Sequence, residues 1–338
     1  MTRPVGIGLV SLAHVHAASY ASILSSLEGA EFRGIYDEIP SRGRSAALKY
    51  GVPFYESLDC MLENCDAVIV ASVNRDHYRL VLTAAGAGRH VLCEKPLATD
   101  LASAEEMIAR CRSAGVQLMT AFPMRFSAPV LAALSAVHNG EIGDIAAITG
   151  LNNGQMPAGW FSSPDLAGGG AAMDHIVHLA DLMRWFIGSG PNEVYAEMET
   201  LLHVGIEVED VVTVLLRFPN GAVGSIDSSW SRPDAYPTWG GLRFRVIGTK
   251  GVIDVDAFAQ TISVYRNQQR LPVWKAWGSN ADRAMLMAFA ESVRSGNPVP
   301  VSGEDGLAAL RVVDAAYESA RRGEPVAILE RGMYPSAC

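Results

Sequence analysis

Between residue 5 and about residue 121 the chain alternates short apolar runs with amphipathic stretches, and this rhythm limits the fold more than any other feature. The runs are VGIGLV, EFRGIYD, DAVIVAS, HVLCEKP and VQLMTAF; the stretches between them cover 14–27, 42–50, 77–87 and 101–114. Strands alternating with helices of that length predict βαβ units and a parallel sheet. AVIVA and VQLMTA are apolar almost throughout, as strands covered by helices on both faces must be.

Beyond about residue 145 the rhythm changes. One long helical pattern over 171–186 is followed by strands with a period of two: VYAEMETLLHV, EDVVTVLLRF, GAVGSIDSSW, GLRFRVIG and GVIDVDA. Pro219-Asn220-Gly221 and Gly248-Thr249-Lys250-Gly251 have the composition of tight turns, so these strands form an antiparallel meander. The prediction is an α/β domain over 1–122 and an α+β domain over 123–338. The helical patterns between 282 and 322 are expected to pack back on the first domain.

Composition excludes several classes of function. The net charge is −9, with the basic residues scattered, so no stripe exists to draw nucleic-acid phosphates. No apolar run reaches membrane-spanning length, and the first residues lack a signal-peptide pattern. The five cysteines (Cys60, Cys65, Cys93, Cys111, Cys338) are odd in number and form no CxxC pair. A reducing, cytoplasmic location is expected.

Gly6-Ile7-Gly8 looks like the start of a dinucleotide fingerprint, but those glycines must follow a strand. Only five residues precede Gly6, one of them Pro4, so Val5–Val10 is itself the strand. The phosphate turn is then Ser11-Leu12-Ala13-His14, leading into a helix whose N–H groups would receive a pyrophosphate. Asp37-Glu38 closes the next strand, where a carboxylate accepts from ribose hydroxyls and repels a 2′-phosphate. The pattern is that of a doubly wound Rossmann sheet and favours NAD over NADP.

Glu94-Lys95-Pro96 closes a later strand, and Gly168-Gly169-Gly170-Ala171-Ala172-Met173-Asp174-His175-Ile176-Val177-His178 opens the long helix of the second domain. With Asn74 and His77, Arg125-Phe126, Trp160-Phe161, Asp181, Trp185 and Glu209-Asp210, these residues resemble the glucose-fructose oxidoreductase, inositol dehydrogenase and rhizopine-catabolism (Gfo/Idh/MocA) family over nearly the whole chain. The resemblance implies a nicotinamide-dependent dehydrogenase or reductase of a sugar, inositol or related polyol. It implies a homodimer or homotetramer formed through a large, open, mainly antiparallel sheet. It implies cofactor contacts from Ser11, Leu12, Ala13, His14, Asp37, Ser72, Asn74, His77, Glu94, Lys95 and Pro96, and a catalytic group of Lys95, Asp174 and His178. The sequence departs from the family at Ser11 and Ala13, where glycine is usual.

The same three residues make chemical sense unaided. Oxidising an alcohol requires taking its proton as hydride leaves the same carbon, and a placed histidine does this at neutral pH. Asp174 and His178 are four apart, hence on one face of a helix. Lys95 can set an ammonium against a developing alkoxide. His175 starts a stripe with Leu179, Leu182 and Phe186, so it reads equally as core or as a substrate contact, and no metal site is expected. Arg125, Met156 and Trp160 are candidates for the substrate wall, an aromatic face suiting the C–H side of a sugar. His203, Trp230, Trp239, Trp274 and Trp277 read as sheet, interface or rim residues. Two other readings share the fold: an NAD-dependent glycoside-cleaving enzyme working by transient oxidation and elimination, and a catalytically silent nucleotide sensor.

Overall fold

The computed structural model describes residues 3–264, 273–276 and 278–328. Trp277, Cys338 and the Trp274 side chain lie outside the described residues. In chain order the first elements are β1 (Val5–Val10), α1 (Ala17–Leu24), β2 (Ala30–Tyr36), α2 (Pro40–Tyr50), β3 (Phe54–Tyr55) and α3 (Leu58–Glu63). There follow β4 (Ala67–Val70), α4 (His77–Gly86), β5 (His90–Cys93), α5 (Leu101–Ser113) and β6 (Leu118–Thr120). The strands form one parallel sheet in the order β3-β2-β1-β4-β5-β6. The order reverses between β1 and β4, which is where a doubly wound sheet opens a ligand crevice.

Every residue of β1 and β4 is buried, as their apolar sequences require of central strands. Gly8 lies within β1, and a Cβ there would overlap the end of the Met61 side chain and come within 2.8 Å of Cys65 Sγ. The early Gly-x-Gly therefore serves the packing of α3 on the sheet, in keeping with its place inside the strand. Helix α2 has Pro40 in its first turn and ends on Gly51 at φ 68°, both ordinary terminators.

The later elements are α6 (Ala128–His138), β7 (Ile145–Leu151), α7 (Pro164–Ala167), α8 (Val177–Ile187), β8 (Glu193–Glu199), β9 (Val211–Arg217) and β10 (Val223–Asp227). After them come β11 (Arg243–Gly248), β12 (Val252–Asp256), β13 (Thr261–Val264), β14 (Val273–Ala276), α9 (Ala281–Ser295), α10 (Gly303–Arg322) and β15 (Val326–Ala327). Seven of these strands form a second sheet, β12-β11-β7-β10-β9-β8-β15, in which β7 and β10 run parallel and every other neighbouring pair is antiparallel. The expected meander is interrupted: β8-β9-β10 and β11-β12 are antiparallel neighbours, but β7 is inserted between β10 and β11. Both expected turns are present: Gly221 takes φ 87°, and Gly248 N–H donates to Gly251 O. Neither α6 nor β7 was expected, because the alternation in IAAITGL is diluted by alanine and glycine.

One face of this sheet is buried and the other open: along β9, Val212, Val214 and Leu216 are buried while Thr213, Leu215 and Arg217 are exposed. Helix α8 lies on the buried face. Leu179 packs against Gly150, Met183 against Gly224, and the Phe186 ring meets Phe244 edge-on at 5.3 Å.

The chain divides into two compact units. The first is Met1–Ser127, Ser163–Gly168 and Gly278–Leu307; the second is Ala128–Ser162, Gly169–Trp277 and Ala308–Cys338. This differs from a single cut at residue 122, because tertiary pairing recruits distant segments. Residues 297–302 run beside β6, with Thr120 N–H on Val301 O and Gln117 Nε2 on Asn297 O. Helix α9 joins the first unit through Ser19 Oγ on Asp282 and Arg283 on Ser26 O. Helix α10 begins in the first unit and ends in the second. No described helix is long and apolar enough to cross a membrane.

Candidate active site

In the first unit, β1 ends in the turn Ser11-Leu12-Ala13-His14, and α1 begins three residues later than the apolar pattern suggested. Ser11 takes φ 71°. The turn thus keeps the left-handed geometry usually given to glycine, at about 1–2 kcal/mol for an L-residue. Leu12 N–H donates to Asp37 Oδ2 at 2.8 Å, and Ala13 N–H to Ser11 Oγ at 3.3 Å. Asp37, 2% exposed at the end of β2, also accepts from Ile39 N at 2.7 Å on Oδ1 and from Arg42 Nε at 2.8 Å on Oδ2. A carboxylate offers about four lone-pair positions. Three are taken, which leaves one on Oδ1 to accept from a ribose hydroxyl. A left-handed phosphate turn at the switch point and a carboxylate at the end of β2 fit a dinucleotide.

Glu94-Lys95-Pro96 leaves the end of β5, with Lys95 itself only 2% exposed. Its backbone N–H donates to Glu94 Oε2 at 3.0 Å, and His77 Nδ1 lies 2.9 Å from Pro96 O. Burial holds the His77 ring below its usual value, so it stays neutral and grips the turn as a hydrogen-bonding group. Asn74 Nδ2 donates to Ala167 O at 2.8 Å while its Oδ1 has no hydrogen-bond partner among the described residues. Ser72 Oγ donates to the neighbouring Val73 O.

The Glu94 carboxylate is fully buried in a cluster invisible in the sequence. His16 Nδ1 lies 2.9 Å and His14 Nδ1 3.6 Å from its Oε1, and Tyr20 OH donates to the same oxygen. Burial alone would raise the Glu94 carboxyl, but His14, His16 and Lys95 hold it well below the usual range. Burial likewise opposes His16, and Glu94 outweighs it, so the imidazolium is favoured. Burial and Glu94 both push the Tyr20 hydroxyl up, keeping it a donor. Atoms of His14, His16 and Glu94 lie within 4.8 Å of one another, a spacing a metal ion would accept. The His14 Nδ1 atom nevertheless accepts from His16 N at 3.2 Å, and the cluster reads as a hydrogen-bonded ion pair.

In the second unit, Asp174 and His175 sit on a π turn, Ala172–Ile176, that runs into α8. The sequence spacing assumed a plain α-helix; the π turn inserts an extra residue, a distortion common at functional sites. Asp174 is 4% and His175 2% exposed. His175 Nε2 stands 3.2 Å from Asp174 Oδ2, and the wholly buried Trp230 donates its indole N–H to that oxygen at 3.4 Å. Trp230, read above as a sheet or rim residue, is therefore a partner of Asp174, and no local signal foretold it. His175 Nδ1 has no hydrogen-bond partner among the described residues, and the Trp239 ring meets the imidazole edge-on at 5.8 Å. His178, half-buried, follows in the first turn of α8.

The strand end beyond β7 runs over this helix start. Gly154 passes so close that a Cβ would stand 2.7 Å from His175 Cε1. Asn152, on the buried face, donates to Gly241 O at 3.0 Å and leaves Oδ1 without a partner among the described residues. Trp160 stacks on Phe161 at 3.9 Å, and Met156 is half-buried nearby in sequence. Arg125, expected at a substrate wall, belongs to the first unit, where its guanidinium pairs with Asp305 at 3.1 Å and reaches Pro300 O. That buried ion pair ties the Pro123–Phe126 turn to the start of α10. His203 Nδ1 lies 3.0 Å from Asp210.

Residues 5–122 match the model of an oxidoreductase family with an NAD-binding Rossmann fold, and residues 130–254 match the GFO/IDH/MocA C-terminal domain. The chain is 32% identical to a myo-inositol 2-dehydrogenase of Thermotoga maritima, over 96% of this chain and 98% of that protein. It is also 32% identical to a 1,5-anhydro-D-fructose reductase of Ensifer adhaerens, over 79% and 81%. Among solved structures it is similar to GenD2 from gentamicin A biosynthesis in complex with NAD, with a TM-score of 0.89, 25% identity and 98% of both chains covered.

Proposed function

The chain belongs to the Gfo/Idh/MocA family of NAD-binding oxidoreductases, and from that premise we propose that it moves a hydride between NAD and a hydroxyl-bearing carbon of a sugar, inositol or related polyol. The observation that carries this reading is the buried Asp174, held by the Trp230 indole and His175 at a π turn just ahead of His178. Bound NAD supplies the hydride acceptor. His178 takes the hydroxyl proton as the C–H bond breaks, and returns it in the reverse direction. Asp174 orients the substrate hydroxyl and serves as the electrostatic partner of His178. Lys95, fixed by the Glu94 and Pro96 turn, presents its ammonium to the developing alkoxide. Asn152 Oδ1 and His175 Nδ1, without hydrogen-bond partners among the described residues, are natural contacts for further substrate hydroxyls, since buried polar atoms want partners.

Ser11, Leu12, Ala13, His14, Ser72, Asn74, His77, Glu94 and Pro96 shape the cofactor's seat, and Asp37 selects NAD over NADP. Trp160 and Met156 serve the substrate wall; Arg125 serves the first unit's packing. The four free cysteines among the described residues support a reducing cytoplasm. The open sheet face, with Leu151, Leu215 and Val223 exposed between the cross-strand pairs Arg217–Glu193 and Arg243–Asp256, supports self-association.

The test is absorbance at 340 nm with NAD or NADP against a panel of sugars, inositols and sugar acids, with His178→Ala alongside. NADH formed with one compound class, and lost in the variant, supports the dehydrogenase. No net NADH from protein that retains tightly bound NAD would overturn it in favour of the glycoside-cleaving reaction.

A further inference from the structure

Glu209 and Asp210 have no part in the chemistry above, yet the helix start that carries Asp174 and the indole that touches it both lead back to them. Glu209 Oε1 accepts the backbone N–H groups of Gly170 and Ala172, each at 2.9 Å, and the Tyr317 hydroxyl at 2.8 Å. Its backbone carbonyl accepts the intervening Ala171 N–H at 3.0 Å. Three successive N–H groups at the start of the catalytic helix thus end on one residue. These are the donors that a helix start leaves without intrahelical partners, and a carboxylate there also meets the positive end of the helix dipole.

Asp210 holds the other support. Its carbonyl accepts Trp230 N–H at 2.8 Å, and the Trp230 indole donates to Asp174 Oδ2. Its own carboxylate is fixed by the N–H groups of Leu201, Leu202 and His203 and by the His203 ring. The glycine run fits the same arrangement. A Cβ on Gly170 would overlap the Glu209 carbonyl oxygen, and one on Gly169 would overlap the Tyr317 hydroxyl. Asp174 N–H in turn donates to Gly170 O at 3.0 Å, so the backbone that carries the carboxylate hangs on the capped segment.

We infer that Glu209, with Tyr317, is a positioning residue that sets where Asp174 projects, while Asp210 sets the indole that touches it. The inference rests on Asp174 acting in the reaction proposed above. Tyr317 stays a donor to Glu209, since burial and the neighbouring Glu209 both keep its hydroxyl protonated.

The experiment is a double-mutant cycle on the NAD-loaded enzyme, joining Glu209→Gln with Asp174→Asn, with Tyr317→Phe as an isosteric second probe of the cap. Glutamine keeps one acceptor oxygen but loses the charge. The expected result is a fall in kcat of about tenfold for Glu209→Gln, as small misplacements of a reacting group produce, with NAD binding unchanged. Tyr317→Phe should lower kcat in the same direction by less. In the Asp174→Asn background, Glu209→Gln should lower kcat no further, because its effect passes through the carboxylate already removed. An equal fold-loss in both backgrounds, or wild-type kcat in both cap variants while Asp174→Asn is impaired, would overturn the positioning role alone. Full activity of Asp174→Asn itself would overturn the catalytic reading, and this inference with it.

Discussion

Replacing Asp37 with asparagine separates the hydrogen bonding the structure gives this side chain from the cofactor selectivity proposed for it. The carboxylate takes Leu12 N–H and Arg42 Nε on Oδ2 and Ile39 N–H on Oδ1. An amide has one acceptor oxygen. Placed at Oδ2 it keeps the phosphate-turn bond and turns its NH2 group against the Ile39 N–H. One buried donor then loses its acceptor, at about 1–3 kcal/mol. The half-exposed Arg42 loses an ionic partner, which adds under about 1 kcal/mol after screening by solvent. A loss near 2 kcal/mol should lower Tm by roughly 4–8 °C. The charge that repels a 2′-phosphate disappears as well, so the ratio of kcat/KM for NAD over NADP should fall. Thermal unfolding and initial rates with each cofactor measure the two arms. An unchanged Tm would refute the hydrogen-bond argument; a lowered Tm with an unchanged cofactor ratio would show that Asp37 only braces the turn.

Two further predictions come from the first unit. His16 is held above its ordinary value of 6.5, so the folded state binds the extra proton; its contribution is complete below that pH and is lost as pH rises through the raised value. Unfolding free energy measured across that window should therefore decline with pH in the wild type and decline less in His16→Gln, and identical slopes would refute the ion pair with Glu94. Gly8→Ala places a methyl group into Met61 and Cys65, so it should cost about 1–3 kcal/mol in denaturant titrations while leaving the KM for NAD unchanged. A raised KM with unaltered stability would move the phosphate site back to the early Gly-x-Gly.

Local signals proved most informative where structure is periodic. Covered strands must be apolar throughout and half-covered strands must alternate, so both sheets could be read from residue order. The short β3 and the alanine-diluted β7 carried too little of either pattern. Val5–Val10 is a strand and Ser11 opens the turn after it, as the reading of Gly6-Ile7-Gly8 as part of the strand expected.

The side chains proposed as catalytic could be named from the Glu94-Lys95-Pro96 and Asp174-to-His178 segments, but not what holds them. His16 meets Glu94 across 78 residues and Trp230 meets Asp174 across 56. Glu209 reaches back 39 residues to Gly170. Arg125, a candidate for the substrate wall from its position, pairs with Asp305 across 180 residues. A sequence determines periodicity, turns and the limits that backbone sterics set, because those depend on near neighbours. Which buried donor meets which acceptor depends on how sheets and helices pack, and only the tertiary structure decides that. The π turn under Asp174 belongs to the second kind: its cap and its packing partners come from the residues just before β9, from α10 and from the chain after β10, none of them near it in sequence.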